Sequence, residues 1–310
     1  MQEIDKVIIN FDEGQLFLLN ICLGFLMFGV ALDLSLRDFR KILQRPKPVI
    51  LGLTSQLILL PLLTLLIIFI AKPPFSIQLG MLLVAACPGG NISNYFVHRS
   101  HGNTALSITL TSIVTLAAVL ITPFSFYLWT KLLQAPPDFA RLITVDFWNM
   151  IRIIIQLIVF PLILGMALKK YLPRFTQLIS KPVKWFSVIL LLGIIFFALT
   201  GNTDIIQSQL QHVFLLVLLH NGIAYILGYQ FARRTNLSHR DARAIAMETG
   251  IQNGGLALIL IFNYFDGLGG MALVAAWWGV WDIISGFALS SYWARAILPS
   301  KGSNQLSDLL

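Results

Sequence analysis

The sequence predicts an all-α integral membrane protein of about nine transmembrane helices, two of them broken at mid-membrane in matching places. Three observations lead there: too little charge to hydrate a surface, regularly spaced apolar runs, and paired breaks that carry amides and a carboxylate. Of 310 residues, 57% are hydrophobic and 12% charged, with mean hydropathy +0.79. A soluble domain carries about 25% charged residues. Runs such as 49–70 and 213–232 can each cross the ~30 Å hydrocarbon core.

Nine spans follow in order: 14–36, 48–71, 77–97, 104–130, 150–168, 185–200, 213–232, 244–265 and 270–294. Lys and Arg alternate between their connections. The connections 37–47, 169–184 and 233–243, the turn with Arg99 and the end with Arg295 and Lys301 hold 17 of the 22 basic residues. The opposite side holds Lys6, Lys72, Lys131, Arg141 and Arg152. Cytoplasmic loops collect Lys and Arg, so the N-terminus is expected outside and the C-terminus in the cytoplasm. The net charge of +8 has the same origin, and a nucleic-acid partner is not expected. Residues 1–13 carry four acids and one Lys before the first apolar run, so no cleaved signal peptide is expected. Cys22 and Cys87 lie in apolar segments and read as small core residues rather than a disulfide or metal pair.

The third span contains Cys87-Pro88-Gly89-Gly90-Asn91-Ile92-Ser93-Asn94, and the eighth contains Glu248-Thr249-Gly250-Ile251-Gln252-Asn253-Gly254-Gly255. Pro88 removes a backbone donor and each Gly weakens a helix interior by about 1 kcal/mol. Irregular backbone survives at membrane depth only when it is buried in protein or lines a wet cavity. The two broken spans are five apart, so they run in opposite directions, as an inverted repeat of five helices lacking its opening helix would produce. Interrupted spans at corresponding positions point to a transporter binding site. Gly pairs also permit close helix packing, but packing does not explain Glu248, Gln252, Asn253, Ser93 and Asn94 at the breaks.

At these residues the chain resembles the bile acid:sodium symporter family. The resemblance rests on Cys87-Pro88-Gly89-Gly90, Ser93-Asn94, Gly102-Asn103 and Leu106-Ser107, and on Glu248-Thr249-Gly250-Ile251-Gln252-Asn253 in place of the E-x-G-x-Q-N motif. Met27-Phe28-Gly29, Leu219-His220-Asn221-Gly222 and Ser285-Gly286 also look like family positions. The resemblance is to the nine-helix form and spans nearly the whole chain. It implies a panel domain (1–36 and 150–200), a core domain in which the two broken helices cross (48–130 and 213–294), and a cytoplasmic tail at 295–310.

It further implies two sodium ions beside the crossing. One site would use Ser93, Asn94, Ser107, Thr111 and Glu248; the other Gln56, Glu248, Thr249, Ile251 and Gln252, with residues 249 and 251 acting through backbone carbonyls. Hard cations take oxygen ligands, and Ser107 and Thr111, four apart, share one helical face. A carboxylate at mid-membrane costs about 2.5–3.5 kcal/mol even on the mildest scale, which makes Glu248 a functional candidate by default. Substrate is expected at Asn91, Asn253 and Asp282. Two of these depart from the family pattern: Trp281-Asp282-Ile283 stands where a Trp is followed by His-Asn, and Asn91 where Thr is common. The substrate is therefore expected to be a small organic anion, not necessarily a bile acid. Asp282 reads as a pocket or proton-linked group, or as a carboxyl neutralised by a polar neighbour.

Trp277 and Trp281, four apart, can form one apolar wall, and Tyr292 and Trp293 fit an interfacial belt. His220 reads as a packed, hydrogen-bonded residue, and His98 and His101 carry no metal pattern. The expected function is sodium-coupled symport, by a monomer in lipid, in a bacterial inner membrane. A proton-coupled carrier or antiporter on the same fold, using Glu248 or Asp282, is the alternative. An enzyme is not expected, since no HExxH, aspartate pair or Ser–His arrangement occurs. A channel would need a continuous polar lining, and a sensor an output domain beyond the short tail after Arg295.

Overall fold

Apolar runs in lipid must satisfy their own backbone, which favours helices. The computed structural model describes residues 3–9, 13–32, 46–139, 147–200 and 203–296. Among them all regular structure is helical. The chain forms α1 (Glu13–Ala31), α2 (Pro46–Ala71), α3 (Phe75–Ala86), α4 (Ile92–Arg99) and α5 (Thr104–Thr130). Then come α6 (Phe147–Ile154), α7 (Phe160–Tyr171), α8 (Pro173–Thr200) and α9 (Thr203–Arg234). The last three are α10 (His239–Gly250), α11 (Gly254–Tyr264) and α12 (Gly269–Arg295). Among the described residues four segments are long and apolar enough to cross a membrane: Pro46–Ala71, Thr104–Thr130, Val213–Arg234 and Gly269–Arg295. The protein is thus an all-helical integral membrane protein.

The third and eighth expected spans are each two helices, α3 with α4 and α10 with α11. Two boundaries differ most from expectation, by ten residues or more. Residues 173–184, expected as a connection, are the first turns of α8: Pro173 suits a first helical position, and the exposed Arg174 and Lys181 are good helix formers. The seventh span begins at Thr203 rather than 213. Residues 33–36, most of the basic connection 37–47, Arg141 and the tail beyond 296 lie outside the described residues.

Two π-turns, Ser55–Leu59 and Ile155–Val159, widen otherwise regular helices. Each is followed within two residues by proline, Pro61 and Pro161. Proline has no N–H and its ring crowds the carbonyl four residues back. Wider turns relieve this, with Leu60 N donating to Ser55 O and Phe160 N to Ile155 O. The first of them carries Gln56.

The core lies where α3, α11 and α12 meet, around the fully buried Met81, Ile259, Met271 and Trp278. Helix α10 packs along α9, and α1 packs on α7 and α8. Residues 3–9 strap the start of α3 to the start of α12. The carboxylate of Asp5 accepts from Ser76 N (2.8 Å), Ser76 Oγ (2.6 Å) and Phe75 N (3.4 Å), capping α3. Ile9 N donates to Gly267 O (2.9 Å) and Gly269 N to Val7 O (2.8 Å). Gly267 sits at φ +71, a conformation glycine adopts without strain. Removing the buried cap with Asp5→Ala is expected to lower stability by about 1–2 kcal/mol. An unchanged unfolding midpoint in detergent would show that the strap contributes nothing.

Candidate functional site

Pro88 forces the residue before it out of the helical region, and Cys87 is accordingly extended (φ −71, ψ 155) at the end of α3. Ile251 is likewise extended (φ −90, ψ 115) after α10. The peptide groups freed at the two breaks satisfy one another across the crossing. Gly90 N donates to Ile251 O (3.1 Å) and Asn253 N to Pro88 O (2.9 Å), around an antiparallel bridge between Gly89 and Gln252. A Cβ on Gly90 would stand 2.9 Å from Gln252 O, and one on Gly89 2.7 Å from Gln56 Nε2 and 2.9 Å from Glu248 Oε2. Glycine at both positions is therefore dictated by close approach.

All five residues expected at the first sodium site meet in one cluster. The buried Glu248 accepts from Ser93 Oγ, from Ser107 Oγ (2.5 Å) and, at both its oxygens, from Thr111 Oγ1 (2.9 Å). Ser107 Oγ also lies 2.8 Å from Asn94 Oδ1, and Thr111 Oγ1 3.0 Å from Ser107 O. Each hydroxyl has one proton. Three hydroxyl protons thus face two carboxylate oxygens, an amide oxygen and a backbone carbonyl. That surplus of oxygen lone pairs over protons suits a hard cation.

The residues expected at the second site gather about the second break. Gln56 is fully buried with neither amide atom hydrogen-bonded, and Gln252 Oε1 is also unpartnered. Buried polar groups ordinarily find partners, so each orphan calls for an explanation. Gln252 Nε2 donates to Thr249 O (2.9 Å) and Glu248 O (3.2 Å), which fixes its side chain beneath the break. Thr249 Oγ1 is 2.7 Å from Ser55 Oγ, tying the second break to the π-turn of α2. Amide and carbonyl oxygens are the donor type a hard cation takes. Among the described residues no cluster of three His, Cys, Asp or Glu could hold a metal.

The three residues expected at substrate fare differently. Asn91, half-buried, stands at the N-cap of α4 without a capping bond from its side chain. Asn253 caps α11, its oxygen accepting from Leu256 N (2.9 Å), which leaves its amide hydrogens for a ligand. Both therefore mark half-helix N-termini, where the backbone dipole favours an anion. Asp282 does not face an open pocket. It is 2% exposed, and its two oxygens accept from Asn221 Nδ2 (3.0 Å) and Gln252 N (2.9 Å). Each carboxylate oxygen thus has one donor inside the protein, as the reading of a carboxyl neutralised by a polar neighbour expects.

Ser55 and Asn221 were not expected at the site. Asn221 carried a signal, as part of Leu219-His220-Asn221-Gly222, but its partners are 29 and 61 residues away. His220 is packed as expected, with Nε2 2.9 Å from Thr64 Oγ1 and its ring edge-on to Trp278. Trp277 and Trp281 stack at 6.4 Å and both meet Phe214. Cys87 is buried and free, and the side chain of Cys22 lies outside the described residues.

The chain is similar to known transporters. Residues 20–209 match the model of the Sodium Bile acid symporter family. The chain is 32% identical to "Uncharacterized sodium-dependent transporter YocS" of Bacillus subtilis (strain 168), across 94% of this chain and 87% of that protein. It is 28% identical to "Probable sodium/metabolite cotransporter BASS2, chloroplastic" of Oryza sativa subsp. japonica, across 94% and 67%. It is 30% identical to "Probable sodium/metabolite cotransporter BASS1, chloroplastic" of Arabidopsis thaliana, across 87% and 65%. These relatives are transporters, not enzymes, and the chain belongs to the sodium bile acid symporter family.

Proposed function

We propose that the protein is a secondary transporter that couples the inward movement of sodium to symport of a small organic anion by alternating access. The observation that carries this reading is the oxygen-rich, proton-poor cluster around Glu248, adjoined by the orphaned amide of Gln56. One sodium ion is held by Ser93, Asn94, Ser107, Thr111 and Glu248, the other by Gln56, Glu248, Gln252 and the carbonyls of Thr249 and Ile251. The anion binds on the half-helix N-termini at Asn91 and Asn253. The frame is a nine-span inverted repeat with the N-terminus outside. The panel of 1–36 and 150–200 rocks against the core of 48–130 and 213–294.

A ligand that binds only the folded state stabilises it by RT ln(1 + [L]/Kd), about 2.7 kcal/mol at a hundredfold excess over Kd. Purified protein is expected to melt at a higher temperature in sodium than in potassium at matched ionic strength. Organic acids screened in sodium should add a further shift that is absent in potassium. Equal melting in both salts would argue against sodium coupling. A shift that follows pH and ignores sodium would favour the proton-coupled carrier.

A further inference from the structure

Asp282 sits outside both proposed sodium sites and makes no contact that the transport reading requires, yet it is buried in the middle of α12. A carboxyl at that depth is costly and needs a function or a partner. Its partners define what it does. Oδ2 accepts from the backbone N–H of Gln252 (2.9 Å), and Oδ1 accepts from Asn221 Nδ2 (3.0 Å). Asn221 Nδ2 also donates to Gly250 O (3.0 Å), the last carbonyl of α10. Flipping the Asn221 amide would turn its oxygen on two acceptors, so the network fixes its orientation.

Gln252 N–H and Ile251 C=O belong to the same peptide unit. No described peptide bond is cis. In a trans peptide the N–H and C=O point to opposite sides of the chain. Asp282, by holding the N–H, aims the Ile251 carbonyl across the crossing, where Gly90 N meets it at 3.1 Å and leaves its second lone pair free. Asn221 turns the neighbouring Gly250 carbonyl the other way, toward α9. The side chain of Gln252 then hangs from a fixed backbone, with Oε1 unpartnered.

We infer that Asp282 and Asn221 form a positioning pair that presents the Ile251 carbonyl and the Gln252 amide to the second sodium ion. The pair acts through the peptide and touches neither ion nor substrate. This rests on the sodium-coupled reading above. Outer-shell partners of metal ligands typically change affinity 10–100-fold when removed. In Asp282→Asn the amide offers one oxygen and one NH2 group to two donors, so one of the two bonds must become a donor facing a donor.

The test is a sodium titration of thermal stability in the whole protein, with potassium keeping ionic strength constant. Asp282→Asn and, independently, Asn221→Ala should each raise the half-maximal sodium concentration about tenfold or more. The double variant should be little worse than either single one, because residues in one network do not add. Asp5→Ala, which loosens the fold away from the site, should lower the melting temperature and leave the sodium midpoint in place. If wild type responds to sodium and both pair variants keep its midpoint, the positioning role is wrong while sodium coupling stands. The same holds if Asp5→Ala moves the midpoint as far as they do. If wild type gives no sodium response, both readings fall together.

Discussion

Glu248→Ala is expected to abolish sodium-driven uptake in proteoliposomes and to remove the sodium-dependent rise in melting temperature, while the protein still folds. Among the described residues Glu248 is the only acid in the cluster, and it is shared by both proposed sites, so its charge has no substitute there. Its oxygens also organise the other ligands, since Ser93, Ser107 and Thr111 all turn their hydroxyls toward it. The cost to the empty protein should be small, because deleting a buried carboxylate also deletes its desolvation penalty. Thr111 Oγ1 retains Ser107 O at 3.0 Å, and Ser107 Oγ retains Asn94 Oδ1 at 2.8 Å. Melting in sodium-free buffer should therefore hold or rise. Glu248→Gln, which keeps the shape, should still lose coupling. Wild-type uptake in either variant, on a sodium gradient at fixed pH, would remove Glu248 from both sites.

The breaks were legible because they are local. Pro88 with two glycines, and Gly250 with two more after Asn253, interrupt apolar runs within ten residues, and the helix ends follow from backbone chemistry alone. The cluster around Glu248 was legible because the resemblance named its residues together and the spacing agreed, Ser107 and Thr111 being one turn apart on α5. The partners of Asp282 were hidden for a complementary reason. Its donors are a backbone amide 30 residues before it and an Asn 61 residues before it. Neither is visible as a pattern on α12, so the sequence named no polar neighbour for this carboxyl. The strap at residues 3–9 was hidden in the same way, because Asp5 caps a helix 70 residues further on. One overlooked signal was in plain sequence. Gln56-Leu57-Ile58 precedes Pro61 and Gln156-Leu157-Ile158 precedes Pro161, and a π-turn ends two residues before each proline.

Gly89→Ala and Gly90→Ala, neighbouring substitutions of identical size, are expected to fail in opposite ways. A methyl on Gly89 would meet the ends of two side chains, Gln56 Nε2 at 2.7 Å and Glu248 Oε2 at 2.9 Å. Side-chain ends can swing aside, so the fold should survive, but the groups displaced are proposed ligands of the second ion. The expected result is a nearly unchanged melting temperature without sodium and a sodium midpoint raised about tenfold or more, the size of effect seen when a site's supporting groups shift. A methyl on Gly90 would instead meet backbone, Gln252 O at 2.9 Å, in the strip where the two breaks exchange hydrogen bonds. Backbone there is held on both sides and cannot give way without parting Gly90 N from Ile251 O. Overpacking of this kind costs about 1–3 kcal/mol, so Gly90→Ala should melt earlier even without sodium. Melting curves of the two variants across a sodium series separate the cases. Should Gly89→Ala bind sodium like wild type, Gln56 and Glu248 do not share an ion beside that glycine, and the second site must lie elsewhere along the crossing.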